Sequence, residues 1–275
     1  MALLPGDEAL KTIYKFREPS DHTFTNLEKG CLRFSFPAEL NDPFDCKIDY
    51  ILDGNEDEWR KWLDSQPYEA KKKDAVWAYL QSIKFDGRIF SREREQEEIR
   101  SILVLSLTEI NDNVLLWSHY SKYHQGFCFG FKTAIEGMSL GMHFNKDDII
   151  FSVPGITPGF LPMRKVVYNI DMPPSFNSLH DDKRKLMEFT NVKHPDWSYE
   201  KERRIALSPP HIKQQLVGFE KTILSEVIFG YKTKDEDIRK VETILKVNYP
   251  NSGKDIQKKR AIPIKGKYQL EIVDI

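Results

Sequence analysis

The chain has 275 residues, 40% of them hydrophobic and 30% charged, which is the composition of a globular protein that folds in water. Its 41 basic and 42 acidic side chains nearly cancel, which argues against a dedicated duplex-DNA binder, whose affinity depends on neutralising many phosphates. The first residues lack a signal-peptide pattern, no apolar run approaches the roughly 18 residues of a membrane span, and the cysteines lack C-x-x-C spacing. We therefore expect one cytoplasmic domain over residues 1–275, without membrane contact, disulfides or a structural zinc.

In chain order, the first half of the sequence alternates short strand-like runs with turns and then becomes helical. Apolar runs predict strands at 13–17, 31–36 and 103–107. Residues 25–30 predict a helical turn that closes on a glycine, and Asn41-Asp42-Pro43-Phe44-Asp45 predicts a tight turn. Residues 56–101 are highly charged and carry tryptophan and leucine at helical spacing, so they predict a helical insertion that caps the domain.

The second half of the sequence mixes strands and helices without regular alternation. Asn113 is a candidate N-cap for a short helix at 114–120. Further strands are predicted at 126–131, 164–168, 197–207, 224–230 and 268–273, and further helices at 181–192 and 235–247. This order predicts an α+β fold, with a mixed, mainly antiparallel sheet, flanking helices and the insertion at 56–101.

The segment Trp197-Ser198-Tyr199-Glu200-Lys201-Glu202-Arg203-Arg204 packs five charges beside two aromatic rings. Because alternate residues of a strand share one face, Glu200, Glu202 and Arg204 should align about 7 Å apart. Like charges at that distance raise each other's pKa or require a cationic partner. The alternatives are a solvated helix, or a buried ion network that perturbs pKa values without any function.

Six motif blocks lie along the sequence: Tyr14-Lys15-Phe16-Arg17, Phe34-Ser35-Phe36-Pro37, Asn41-Asp42-Pro43-Phe44-Asp45, Trp117-Ser118-His119-Tyr120, His124-Gln125-Gly126-Phe127, and the charged segment from Trp197 to Arg204. Together they resemble a bacterial family named after its domain of unknown function, DUF2971. The likeness covers roughly residues 13–230, and the family name implies no activity.

Arg17, Ser35 and Glu200-Lys201-Glu202 follow one another in this order along the chain. In this respect the chain also resembles ADP-ribosyltransferases of the Arg-Ser-Glu type, which carry an arginine on the first strand, a serine on a middle strand and Glu-x-Glu on a later one. The resemblance implies NAD as substrate, with ADP-ribose passing to a protein or nucleic-acid acceptor, or to water. It also implies a role as a toxin or phage-defence effector. Sugar transfer passes through an oxocarbenium-like cation, which a nearby carboxylate stabilises.

This hypothesis places the motif residues in one cleft. The catalytic candidates are Glu202, Glu200, His119 and Ser35, and the candidates for binding NAD are Arg17, Tyr14, Tyr120 and Arg204. Glu202 would be the catalytic carboxylate, Glu200 would orient the acceptor and Ser35 would support Glu202. Arg17 would hold phosphate, because its planar fork binds oxygens in pairs, and Tyr120 would pack on the nicotinamide.

Two other functions remain open on the sequence. Asp42, Asp45, His119 and Glu202 would suit an oxygen-rich magnesium or manganese site of a nuclease, although the Glu-Lys-Glu run lacks the E-x-K ending of restriction-type nucleases. Alternatively, the protein is a non-catalytic binding module. In that case the 41–45 turn only caps the next segment, or its carboxylates pair with Arg17 or Arg204.

Overall fold

The structure is a computed structural model that describes residues 3–87, 102–150, 155–182, 184–207, 214–249 and 255–275. Its α-helices are α1 (Asp21–Lys29), α2 (Glu56–Ser65), α3 (Ala70–Ser82), α4 (Val114–Tyr120), α5 (Arg184–Phe189) and α6 (Asp235–Asn248). Within the described ranges, none of these helices combines the length and apolar character needed to cross a membrane.

Short strands connect or extend these helices along the whole chain. The first nine are β1 (Thr12–Arg17), β2 (Cys31–Arg33), β3 (Tyr50–Ile51), β4 (Leu103–Thr108), β5 (Phe127–Lys132), β6 (Ala134–Glu136), β7 (Ser139–His143), β8 (Phe160–Pro162) and β9 (Arg164–Lys165). The others are β10 (Val167–Tyr168), β11 (Phe176–Asn177), β12 (Val192–Lys193), β13 (Glu202–Leu207), β14 (Leu216–Gly218), β15 (Leu224–Phe229), β16 (Gln257–Pro263) and β17 (Leu270–Asp274).

Eight of the strands form the central sheet, in the order β17-β16-β15-β5-β1-β4-β13-β9. Every neighbouring pair is antiparallel except β15 and β16, which run parallel. The α+β class and the mixed, mainly antiparallel sheet predicted from the sequence are thus confirmed.

The sheet separates between β1 and β4, and this separation creates the cleft described below. β1 pairs with β5 along all six of its residues, from Thr12 to Arg17. It pairs with β4 only where Tyr14 faces Thr108. Beyond that point the two strands diverge, and Ser35 reaches β4 instead through an isolated bridge to Val104.

The two faces of the sheet bury different layers, as alternating side chains of a strand require. Leu105 and Ile205 point to a core that is completed by α1 and α6. Val104 points to the opposite core, where Trp59 and Trp62 of the helical insertion are buried. The predicted insertion is helical over α2 and α3, and its predicted continuation over 88–101 lies outside the described residues.

Several predicted boundaries are wrong. The predicted strand at 197–207 begins only at Glu202, because Pro195–Glu200 forms a 3₁₀ helix that a proline opens. The predicted helix at 181–192 is confined to α5, and the predicted strand at 31–36 ends at Arg33. By contrast, the helix at 114–120 has the predicted bounds, and the Asn113 side chain accepts hydrogen bonds from the backbone N–H groups of its first turn.

Candidate functional site

A cavity of about 1240 Å³ opens where β1 and β4 separate. β1, the 35–45 segment, α4 and the start of β13 all contribute to its walls. The sequence-predicted site residues that line it are Tyr14, Arg17, Ser35, Asp45, His119, Tyr120, Glu200 and Glu202. The structure therefore brings together four polar segments that are far apart in the sequence. Asp42 and Arg204 are not among the lining residues.

Arg204 lies behind the cavity wall and is 1% exposed. Its guanidinium donates to both oxygens of Asp45, at 2.7 and 2.6 Å, and to both oxygens of Glu202, at 2.6 and 2.9 Å. It also donates to the carbonyl of Thr190 at 2.6 Å. Such double ion pairs are the strong form of arginine–carboxylate contact. Arg204, predicted to bind NAD, is thus fully engaged by protein groups.

Lys193, on β12, is a second buried cation of this network. Its Nζ lies 2.6 Å from Glu200 Oε2, 3.2 Å from Glu202 Oε2 and 3.5 Å from Asp45 Oδ2. The network thus holds three carboxylates and two cations, leaving a formal surplus of one negative charge beside the cavity. Sequence reasoning missed Lys193 because its segment follows a predicted helix and carries no motif.

The two glutamates have opposite pKa shifts. Burial raises the pKa of Glu200, although Lys193 and a 2.6 Å hydrogen bond from the Tyr120 hydroxyl oppose the shift. Burial alone would also raise the pKa of Glu202, but Arg204 and Lys193 outweigh burial and lower it to about 2. Glu202 is therefore a permanently ionised carboxylate, whereas Glu200 is the carboxylate that takes up a proton more readily.

Glu200 and Glu202 meet through a turn and not through strand alternation. Lys201 between them has φ 46°, a left-handed conformation that is uncommon for residues other than glycine. This turn brings Glu200 from the end of the 3₁₀ helix to Lys193, which also contacts Glu202. The prediction that Glu202 and Arg204 share a face of the strand is confirmed by their direct ion pair.

The serine that supports Glu202 is Ser106, not Ser35. Ser35 lines the cavity, but its hydrogen bonds with described residues are backbone contacts with Val104. Ser106 lies on β4 opposite Arg204, and its hydroxyl hydrogen-bonds Glu202 and contributes to lowering the pKa of that carboxylate. Two residues on, the Thr108 hydroxyl donates to the carbonyl of Glu200 at 2.5 Å. Alternating hydroxyls in the otherwise apolar run 103–108 are the signal that would have identified both residues.

The β1 side of the cavity carries cations without carboxylate partners. Arg17 is half-buried and makes no hydrogen bond or ion pair with any residue that the structure describes. Burial and the neighbouring charge of Arg33 lower its pKa to about 10. Lys15 donates to the carbonyl of Ser106 at 2.6 Å, and burial together with Arg17 lowers its pKa to about 7.

The two histidines of the motif region have different environments. His119 is exposed at the cavity, with its ring centroid 6.4 Å from that of Tyr199. His124 is buried, and its Nε2 lies 3.1 Å from the hydroxyl of Ser118. His124 thus belongs to the fold, whereas His119 is available to a ligand.

Three of the four predicted metal ligands, Asp42, Asp45 and Glu202, are engaged in other contacts. Asp45 and Glu202 are both paired with Arg204, and Asp42 accepts the backbone N–H of Phe44 at 2.9 Å. Across the described part of the chain, no three His, Cys, Asp or Glu side chains are grouped as metal ligands. The turn at 41–45 therefore has a structural role: Asp42 caps the backbone of the turn, and Asp45 pairs with Arg204.

Fold and site together define an α+β protein with a charged cleft at a separation in its sheet. The model of a family described as "Protein of unknown function (DUF2971)" matches residues 116–205, which confirms the resemblance over that segment. The segment contributes His119, Tyr120, Lys193, Glu200 and Glu202 to the cleft. No curated protein and no solved structure matches the chain.

Proposed function

We propose that the cleft binds NAD and cleaves its nicotinamide–ribose bond, passing ADP-ribose to an acceptor or to water. The observation that carries this proposal is the charge distribution of one cavity, with Arg17, which has no partner among the described residues, on one wall and Glu200 and Glu202 on another. The cavity volume of about 1240 Å³ exceeds the ~300–1,000 Å³ usual for drug-sized ligands and suits a dinucleotide.

The cationic wall suits the pyrophosphate. The N–H donors of a guanidinium without a protein partner are available to a ligand, and the oxygens of a phosphate match their planar arrangement. Leaving Arg17 half-buried and unpaired opposes folding, so a bound anion would offset a cost that the free protein carries. Lys122 is a further exposed cation at the same cavity.

The acidic wall suits the ribose. As the bond to nicotinamide breaks, positive charge develops on the ribose, and the surplus negative charge of the network would stabilise it. Glu202 stays ionised and would supply that charge, while Glu200, with its raised pKa, would take a proton from the attacking acceptor. Tyr120 donates to Glu200, so its ring is held at the wall where the nicotinamide would pack.

Nicotinamide release from NAD tests this function. We expect Glu200→Gln to lower the rate by about 100-fold or more, the usual effect of removing a general base. Glu200 is the better test residue, because substituting Glu202 would leave Arg204 with fewer partners and disturb the fold. The matched control is Glu236→Gln, which changes an exposed glutamate on α6 whose one ion pair with a described residue is to Lys234. Absence of both NAD binding and nicotinamide release in the wild type would overturn the proposal.

A non-catalytic module that binds a dinucleotide is the second candidate. It is favoured by the engagement of both Glu202 oxygens with Arg204, which reduces the charge that this carboxylate can offer to a ligand. Binding of NAD without nicotinamide release, with candidate protein and nucleic-acid acceptors supplied, would support it.

We further propose that the protein acts in the bacterial cytoplasm, where NAD is available, as a toxin or phage-defence effector. An NAD-consuming enzyme should slow growth and lower cellular NAD when it is expressed. The Glu200→Gln variant should do neither at equal protein level. Equal toxicity of wild type and variant would contradict this role.

A further inference from the structure

Lys15 lies on β1 at the cavity, yet NAD cleavage gives it no role. Its amine donates to the carbonyl of Ser106 at 2.6 Å, at the place where β1 and β4 separate. It forms no ion pair with any described residue. A lysine in a cavity without a counterion is an uncommon arrangement, because burial disfavours the charged form.

The charges around this amine come from three elements. Arg17 acts on it from its own strand, Glu202 and Arg204 from β13, and Glu200 from the preceding 3₁₀ helix. Burial has the largest influence, and with the arginines it outweighs the glutamates and lowers the pKa of Lys15 to about 7. A larger fraction of this amine is therefore neutral at pH 7 than of an ordinary lysine, whose pKa near 10.4 keeps it almost entirely protonated.

A second cation, Arg17, lies beside this amine on the same strand. Arg17 follows two residues later on the same face of β1, about 7 Å further along. Its guanidinium is unpaired among the described residues, and it lines the same cavity. A ligand that carries a phosphate at one end and an electrophilic carbon at the other can therefore reach both side chains.

We propose that Lys15 captures phosphorylated aldehydes as an imine, with Arg17 binding the phosphate. The neutral amine attacks the aldehyde carbon and a C–N bond forms. The resulting carbinolamine then loses water, whose oxygen comes from the aldehyde and whose two hydrogens come from the amine. No oxidant or reductant is needed. Glu200, whose pKa is raised, lines the same cavity and can relay the proton to the departing oxygen.

Two sources can supply such an aldehyde. One is the open-chain form of ADP-ribose, the product of the function proposed above, and the other is a free sugar phosphate. The capture chemistry does not require NAD cleavage, because the aldehyde can be added ready-made. NAD cleavage and imine formation at Lys15 can therefore be tested separately, and either can be refuted without the other.

Reductive trapping tests this site. The full chain is incubated at pH 7 with ADP-ribose, ribose 5-phosphate or unphosphorylated ribose, each with cyanoborohydride, and labelled peptides are identified by mass spectrometry. Lys15 should be labelled at least tenfold faster than the exposed Lys11 by a phosphorylated probe. Ribose should show little of this preference, and Arg17→Met should abolish it. Labelling by ADP-ribose alone identifies the product as the ligand, and labelling by ribose 5-phosphate alone identifies a free sugar phosphate.

Two further measurements separate capture from general lysine reactivity. Lys15→Arg should remove only the Lys15 label, with an unchanged circular dichroism spectrum and unchanged labelling of Lys11. Labelling of Lys15 should rise through about pH 7 and then level off, while labelling of Lys11 should keep rising towards its ordinary pKa near 10.4. Equal labelling of Lys15 and Lys11 by both phosphorylated probes would overturn the proposal.

Discussion

The cavity has two charged walls: the β13 wall, which contains Asp45, Lys193, Glu200 and Glu202 and is backed by Arg204, and the β1 wall, which contains Lys15 and Arg17. The two walls differ in how far other protein groups pair with their charges. On the β13 wall, Arg204 binds two carboxylates and a carbonyl, and Lys193 lies within 3.5 Å of three carboxylates. On the β1 wall, Arg17 has no described partner and Lys15 has only a carbonyl. Paired buried charges are arranged to hold the fold, whereas unpaired ones make the free protein less stable and favour a ligand.

The largest expected effect is loss of stability on the β13 wall. Arg204→Met would leave Asp45 and Glu202 buried with only Lys193 to compensate them, and breaking such a pair costs about 3–5 kcal/mol of unfolding free energy. Urea unfolding measures this change. The control is Arg164→Met, which removes a partly exposed arginine 3.7 Å from Glu188 and should cost less than about 1 kcal/mol. Equal effects would show that the network is not structural.

The β1 wall should show the reverse behaviour. Arg17→Met removes an unpaired half-buried charge, so the unfolding free energy should stay within about 0.5 kcal/mol of wild type or rise. Affinity for ADP-ribose, measured by calorimetry, should fall at least tenfold, or about 1.4 kcal/mol. Arg239→Met, on the exposed side of α6, should change neither quantity. A loss of several kcal/mol of stability in Arg17→Met would erase the distinction between the two walls.

The pH dependence of stability provides a third test. The pKa of Lys15 is lowered in the folded state, so folding disfavours its protonation, and the penalty is complete below about pH 7. As pH rises from 7 towards 10.4 the unfolded chain also loses this proton, and the penalty disappears. Lys15→Met should thus stabilise the protein at pH 6 by less than the ~4–5 kcal/mol that the full pKa shift would give, because solvent screens this half-buried group, and by almost nothing near pH 10.5. If Lys15→Met raised the unfolding free energy equally at both pH values, the effect would come from packing and not from the charge of Lys15.

The smallest expected effect concerns the turn that joins Glu200 to Glu202. Lys201 is left-handed, and glycine adopts that conformation without the steric cost of a side chain. Lys201→Gly should therefore raise the melting temperature slightly, equivalent to about 0.5 kcal/mol, since the greater flexibility of glycine in the unfolded chain offsets part of the gain. Marked destabilisation would mean that the lysine side chain itself is needed there.

The sequence predicts those strands and helices whose residue pattern is contained within the element itself. Short apolar runs predict β1, β4, β5 and β15, and Asn113 marks the start of α4. No strand is predicted over β16, because the run Lys258-Lys259-Arg260 lacks an apolar pattern; in the structure Lys259 of this strand contacts Glu226 at 2.6 Å. The predicted strand at 197–207 failed because a proline and a left-handed lysine reshape its first half.

The site could be predicted only in part, because its geometry depends on long-range pairing. Motif residues identify Arg17, His119 and the two glutamates as residues of interest. The separation of β1 from β4, the placement of Lys193 and the choice of Ser106 over Ser35 depend on which strands become neighbours. No local pattern encodes those contacts.

The most direct test of the account is a crystal structure of the protein with ADP-ribose. The diphosphate should lie within hydrogen-bonding distance of the Arg17 guanidinium and the terminal ribose should face Glu200 and Glu202, while Arg204 keeps its contacts with Asp45 and Glu202. A diphosphate bound elsewhere, with Arg17 unoccupied, would contradict it.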